Sequence, residues 1–323
     1  MEWYIYLIII VSSVLLIVGV LTLLSHLVYH RSLMASIVEI YLKLSTKKLT
    51  DEEVKEGIKD LPLKNDNGYQ IPRIIRFNVD VRKSTYQNME VLSLNEKSKD
   101  NKVIMYLHGA GYVRPPRVHH IKFINKLAKK TNKTVIFPIY PKAPNHYFEE
   151  SYSILTSLYL DLLKKYDEVI LMGDSSGGGL ALGLCEYFIE QKIKQPEKLF
   201  LFSPWVNLKL DNELIPKYAK KDPFISYTNE RIWGQLWARE ANLDNYKLSP
   251  IYGNMIGLKK VYLYAGTREV LFPDCQLLYG ILKDSKVDAH FFIGKGLNHV
   301  YPIYPIKEAR ATLNNIVKII NYN

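Results

Sequence analysis

Cysteine is almost missing from this chain of 323 residues: only Cys185 and Cys275 occur. Two cysteines cannot make a disulfide framework, and neither stands in a CxxC or Cys/His spacing. A stapled secreted scaffold and a cysteine-based metal site are therefore excluded. Also absent is a dense basic block with interleaved aromatics. The net charge of +11 comes from scattered lysines, which reads first as solvated surface and second as attraction to an anionic membrane face, with no nucleic-acid partner. Internal repeats and low-complexity stretches are lacking too. With 48% hydrophobic and 23% charged residues, the chain has material for a large core and no disorder signature.

Charge is absent from one long run. Tyr4 to Leu24 is 21 uncharged residues, which as a helix would span about 31 Å, close to a bilayer core. Ser12, Ser13 and Thr22 are the polar exceptions, and their hydroxyls can bond back to the helix. A polar stripe, the mark of a soluble surface helix, is missing. A cleavable signal peptide would want a positive lead-in and small residues at a cleavage site. Only Met1, Glu2 and Trp3 precede the run, and SHLVYHRSLMAS offers no A-x-A pattern. The expectation is an uncleaved anchor over 4–24. Arg31, Lys43, Lys47 and Lys48 follow it, so the positive-inside rule puts the rest of the chain in the cytoplasm.

Beyond the anchor, Leu33, Ile37, Ile40, Tyr41 and Leu44 recur at helical spacing, predicting an amphipathic helix over 32–44. Thr50 followed by Asp51, Glu52 and Glu53 reads as a helix start, and 65–68 as a turn. From about residue 72 short apolar runs alternate with helix-length segments. Strands are predicted at 74–81, 89–94, 103–107, 134–138, 168–172, 198–202, 260–265 and 289–293, with helices at 119–130, 147–165 and 177–192. That alternation means crossover units and a mostly parallel sheet flanked by helices, an α/β fold. The expected division is an anchor at 1–27, a helical linker or cap at 28–71 and a catalytic α/β domain at 72–323.

Functional groups in such sheets gather at the carboxyl ends of strands. Strand 168–172 runs into Gly173-Asp174-Ser175-Ser176-Gly177, a G-x-S-x-G turn before a helix. This strand–turn–helix setting exposes a serine hydroxyl and lets the helix approach closely. The rival reading, a phosphate-binding loop, wants Lys-Ser/Thr after the glycines, and none follows. Strand 103–107 ends in His108-Gly109-Ala110-Gly111-Tyr112, a loop of small residues whose backbone can approach a developing alkoxide. The expected oxyanion donors are the N–H groups of Gly109, Ala110 and Ser176. His108 and Gly111 shape the loop. Strand 260–265 leads to Glu269, the expected acid, with Asp274 as the alternative. The last strand leads to His299, the expected base, in the order Ser, acid, His. His290 falls inside a strand, His119 and His120 open a helix, and His26 and His30 flank the anchor. Tyr112 and Trp205 are candidate pocket residues, with Phe224, Trp233 and Trp237 beside them.

Taken together, HGAGY at 108–112, GDSSGG at 173–178, YPKAP at 140–144, Ser203-Pro204-Trp205, Ser249-Pro250 and GLNHVYPIYP at 296–305 resemble the hormone-sensitive-lipase-like branch of the α/β hydrolases. The resemblance covers about 75–310. It implies a serine carboxylesterase or lipase acting on a small-molecule ester, with no metal or cofactor. A membrane-associated deacetylase or amidase, or a ligand-binding protein on the same scaffold, are the other readings. Three positions depart from the usual pattern: Ala110 stands for a glycine, Ser176 for an alanine, and Glu269-Val270 for Asp-Pro.

Overall fold

The structure, a computed structural model, describes residues 3–46, 49–66 and 68–322. Lys47, Lys48, Asn67, Met1 and Glu2, used above, lie outside them. Four helices come first: α1 (Trp3–Leu27), α2 (Leu33–Ser45), α3 (Asp51–Ile58) and α4 (Leu61–Asp66). Thr50 and Glu53 close a reciprocal capping box at the start of α3, satisfying orphan donors of its first turn. Strands β1 (Val81–Tyr86), β2 (Met89–Leu94), β3 (Lys102–Leu107) and β4 (Thr134–Ile139) follow, with α5 (Val118–Thr131) between the last two. Next come α6 (Phe148–Lys165), β5 (Glu168–Asp174), α7 (Ser175–Glu190) and β6 (Lys198–Phe202). Helices α8 (Ile215–Ala219) and α9 (Tyr227–Ala238) precede β7 (Lys260–Gly266), α10 (Phe272–Asp284), β8 (Asp288–Gly294) and α11 (Lys307–Tyr322).

Among the described residues the eight strands form one sheet in the order β1-β2-β4-β3-β5-β6-β7-β8. β1 and β2 pair antiparallel, as do β2 and β4, and the remaining pairs are parallel. The inner parallel strands read as continuous apolar runs because helices cover both faces, whereas the edge strand β8 is half exposed. One core lies on the side of α6, α7 and α10, and the other on the side of α5 and α11. The carboxyl ends of β3, β5, β6, β7 and β8 all point to one edge.

The strand expected at 74–81 is not formed. Residues 74–80 are irregular and the first strand begins at Val81. Ile74 is exposed, and the Asn78 N–H bonds the Asn125 side chain rather than a neighbouring strand. The apolar run there lacks a sheet partner, so pattern alone did not make it a strand.

Helix α1 is long and apolar enough to cross a membrane, and nearly every residue of it is exposed. The amphipathic helix is present as α2, with Ser32 as its N-cap, but its buried side is not the apolar one. Ala35, Glu39 and Leu42 face the protein, while Ile37, Ile40, Tyr41 and Leu44 face outward, Leu44 at 84% exposure. Buried Glu39 explains the orientation. Its carboxylate bonds Arg31 and takes both Arg268 Nε and Nη2 at 2.8 Å. Arg31 also donates to the Gly296 carbonyl at 3.0 Å, and Ser32 Oγ donates to Glu308 at 2.8 Å. These bonds bolt the start of α2 to the loops after β7 and β8 and to the first turn of α11. Gly296 has a φ of +69°, and a Cβ there would overlap the Tyr29 carbonyl, so only glycine fits.

Burial opposes ionisation of Glu39, but Arg268 and Arg31 outweigh it and hold the carboxyl at about 2. Its stabilisation is therefore complete above the unfolded carboxylate value near 4.5 and is lost as the pH falls toward about 2. Glu39→Ala strands two guanidiniums, one of them buried, and should cost about 3–5 kcal/mol. Thermal melts of both proteins in neutral detergent check this: the gap should be wide at neutral pH and close on acidification. Equal melting temperatures at neutral pH would contradict the bolt.

Candidate active site

Strand β5 delivers Ser175 to the carboxyl edge of the sheet in a tight turn, with φ of +51° for a non-glycine residue. The neighbouring glycines make that turn possible. A Cβ at Gly173 would overlap the Gly177 backbone, and one at Gly177 would overlap the Leu107 and His108 carbonyls. Helix α7 begins at Ser175 itself, so its unpaired N–H groups and dipole lie beneath the hydroxyl.

Beside it runs the loop after β3, held by Asp174. The Asp174 carboxylate accepts the Gly109 N–H at 3.0 Å and the Tyr106 hydroxyl at 2.8 Å, and lies 3.1 Å from His120 Nε2. Burial works against its charge. The His120 charge and hydrogen bond, the Tyr106 hydroxyl and the Gly109 N–H nonetheless hold it below the usual carboxylate range. This corrects the oxyanion assignment: the Gly109 N–H is already committed to Asp174 and is not a free donor. Ala110 and Gly111 line the cavity in front of Ser175 instead. Ala110 sits at φ +107°, so the loop carries a strained methyl where a glycine would be relaxed. Ser176, the other departure, is fully buried and its hydroxyl accepts the Tyr112 N–H at 3.3 Å, tying the loop to α7. His108 stacks on Tyr140 at 4.5 Å. Burial, His120 and Lys142 push it down to about 3, so its ring is neutral.

Glu269 follows β7 and is fully buried. One oxygen accepts the Gly266 N–H at 2.6 Å and the Ser203 hydroxyl at 2.8 Å. The other meets His299 Nδ1 at 2.5 Å, and His299 Nε2 is 2.9 Å from Ser175 Oγ. Burial lowers the His299 pKa, but the Glu269 bond and charge, with Asp222 and Glu230, leave it above the ordinary 6.5. Asp274, the alternative acid, is in the first turn of α10 and bonds Asn212 at 2.8 Å; burial pushes it up to about 6. The structure thus brings Ser175, Glu269 and His299 into one hydrogen-bonded line, and places Asp274 outside it.

The cavity at Ser175 is small, about 50 Å³. Phe224 and Trp233 line it, as do Arg114, Arg117 and Glu230. Arg114 lies over Trp233 and Arg117 over Phe224. Tyr112 and Trp205 do not line it, a second correction. Tyr112 stacks flat on Trp237 at 4.8 Å and packs against Trp205 at 5.6 Å, all three in the core. Tyr112 has φ +64°, which turns its ring under the loop.

The model for the alpha/beta hydrolase fold matches residues 104–303. The chain belongs to the alpha/beta hydrolase family. An esterase of Acinetobacter venetianus is 25% identical over 240 residues, 70% of this hydrolase and 76% of that protein. A Mycobacterium tuberculosis protein named as an acetyl-hydrolase is 32% identical over 219 residues, 66% and 70% of the two chains. A crystal structure from Staphylococcus aureus, described as an esterase, superposes with a TM-score of 0.82 at 27% identity, covering 85% of this chain and 94% of the other. An esterase from the bacterial hormone-sensitive lipase family shares the fold, with a TM-score of 0.76 at 21% identity, covering 89% and 97%.

Sequence reading missed three supports of this alpha/beta hydrolase site. Asp174 was visible as the residue before Ser175, Ser203 as part of the Ser-Pro-Trp match, and Asp222 not at all. Asp222 accepts the Phe224, Ile225 and Val270 N–H groups, joining the cavity wall to the loop that carries Glu269. Gly109 tests the framework. A Cβ there would overlap the Asp174 carboxyl and crowd Ser175 Cβ, whereas Gly280 in α10 has nothing within 4 Å. Gly109→Ala should shift the loop and cut turnover about 100-fold, and Gly280→Ala should raise the melting temperature, gaining about 0.5–1 kcal/mol. Steady-state rates with calorimetry check both, and full activity in Gly109→Ala would refute the crowding.

Proposed function

We propose that this chain is a serine hydrolase that cleaves carboxylic esters of short to medium acyl length through an acyl-enzyme on Ser175. One observation carries the reading: the continuous line from Ser175 Oγ through His299 to buried Glu269. His299 takes the proton as Ser175 Oγ attacks the ester carbonyl. Glu269 fixes the imidazole with its proton on Nδ1 and stabilises the imidazolium. The Ala110, Gly111 and Ser176 N–H groups hold the oxyanion. His299 then gives its proton to the leaving alcohol, and water repeats the sequence on the acyl-enzyme. The names of the esterase and acetyl-hydrolase relatives support the bond cleaved, and the small cavity favours the short end of the acyl range.

The same proposal places α1 as a single membrane span with the catalytic domain on the cytoplasmic side. Length and apolar character of Trp3–Leu27 support the span, and Arg31 and Lys43 after it support the orientation.

Ser175→Ala should lower turnover of a soluble acetate ester on the order of a millionfold while leaving circular dichroism unchanged. Retained turnover would end the serine-hydrolase reading.

The pH profile gives an independent check. The base must be neutral His299, so kcat/KM should fall as the pH drops through its pKa, with the midpoint above 6.5. Glu269→Gln removes the interaction that raises this pKa. It should move the midpoint downward and reduce turnover about 10⁴-fold, with Asp274→Asn far milder. Glu230, which burial pushes up to about 7, titrates in the same window, so Glu230→Gln must retain the limb. A limb that vanishes with Glu230 and survives Glu269→Gln would contradict the assignment.

A further inference from the structure

A second cavity lies beside the active site, between α2, α5, α11 and the turn at 302–306. It holds about 650 Å³, within the range of small-molecule sites. Phe123, Ile303, Ile306 and Leu313 supply an apolar lining, and Val38 and Tyr41 of α2 form one side. Lys122, Lys126, Lys130 and Arg310 also line it, all exposed, and no Asp or Glu lines it.

The three lysines are four residues apart on one face of α5. Like charges at that spacing repel. Among the described residues only Lys130 has a bond there, to the Asn314 side chain at 3.1 Å. A row of cations beside an apolar groove, with no carboxylate, is complementary to an amphiphile with an anionic head. The position of α2 identifies its source. Its outward side chains Ile37, Ile40, Tyr41 and Leu44 continue the exposed apolar surface that begins with α1, and α2 is bolted to the catalytic loops through Glu39. Tyr41 belongs both to that outward face and to the groove.

We propose that α2 lies in the membrane interface and that this groove holds one anionic phospholipid of the bilayer, its phosphate on Lys122, Lys126 and Lys130 and an acyl chain against Phe123, Ile306 and Leu313. The proposal rests on reading α1 as a membrane span. His119 and Tyr304 line both this groove and the catalytic cavity, their rings 5.2 Å apart. They form the wall between the two, so the bound lipid is a neighbour of the active site and not its substrate.

The full chain would be reconstituted into nanodiscs of phosphatidylcholine containing a minority of phosphatidylglycerol, and the lipids retained on release counted by native mass spectrometry. Phosphatidylglycerol should be retained at least about tenfold over its share of the bilayer. The triple variant K122Q/K126Q/K130Q should lose that enrichment. Leu313→Trp, which fills the groove and leaves the charges, should lose the bound lipid as well. Circular dichroism checks that each variant is folded. Retention in proportion to bilayer composition, or enrichment that survives the triple variant, overturns the groove while leaving the span intact. A chain that elutes apart from the discs overturns the span, and with it the bilayer as the lipid's source.

Discussion

A carboxylate with no access to water must find its hydrogen-bond donors inside the protein, and Glu269 finds them on three different parts of the chain. The Gly266 N–H comes from the end of β7, the Ser203 hydroxyl from the end of β6, and His299 Nδ1 from the loop after β8. Leaving one donor out would cost the desolvation of a buried charge. The requirement therefore fixes the relative positions of three strand ends, and with them the direction in which His299 presents Nε2 to Ser175. The Ser203 hydroxyl also accepts the Val300 N–H, so the same group that holds Glu269 holds the backbone next to His299. Asp174 does the equivalent work on the other side, where one buried carboxylate aligns the loop after β3 with the turn that carries Ser175.

Much of this was readable in the sequence. Continuous apolar runs located β3, β5, β6 and β7 to within a residue or two, because parallel strands buried on both faces leave little room for any other pattern; β8, the half-exposed edge strand, was located by its apolar centre between turn residues. Ser175, Glu269 and His299 were readable for a related reason: each follows a strand that such a sheet must end at one edge. The errors came where side chains, rather than strand ends, decide the outcome. Gly109 looked like a donor because it is small and in the right loop. Its N–H is taken by Asp174, a partner that adjacency to Ser175 hid. Tyr112 and Trp205 looked like pocket residues because they are aromatic and near the motifs. Tyr112 stacks on Trp237 and Trp205 packs against Tyr112, and the cavity is lined instead by Trp233, Arg114 and Arg117.

The amino-terminal helices show the same limit. Spacing of Ile37, Ile40, Tyr41 and Leu44 correctly gave a helix, but nothing in that spacing marks Glu39, on its other face, as a buried residue. The partners that bury Glu39 are Arg31, eight residues back, and Arg268, next to Glu269. An ion cluster joining such distant positions leaves no local pattern. Its consequence is large: the helix turns its apolar face outward, and the segment after α1 becomes part of the support of the loops that carry Glu269 and His299.

The central claim is that Ser175 carries the acyl group between the two halves of the reaction. Rapid quenching with acid after mixing the protein with an activated acetate ester, followed by peptide mass spectrometry, tests it most directly. The account predicts one added acetyl group on the peptide containing Ser175, lost on further incubation in water at the rate of steady-state turnover. Acetyl found on another residue at that rate, or turnover with no acyl-enzyme under conditions that favour its accumulation, would contradict it.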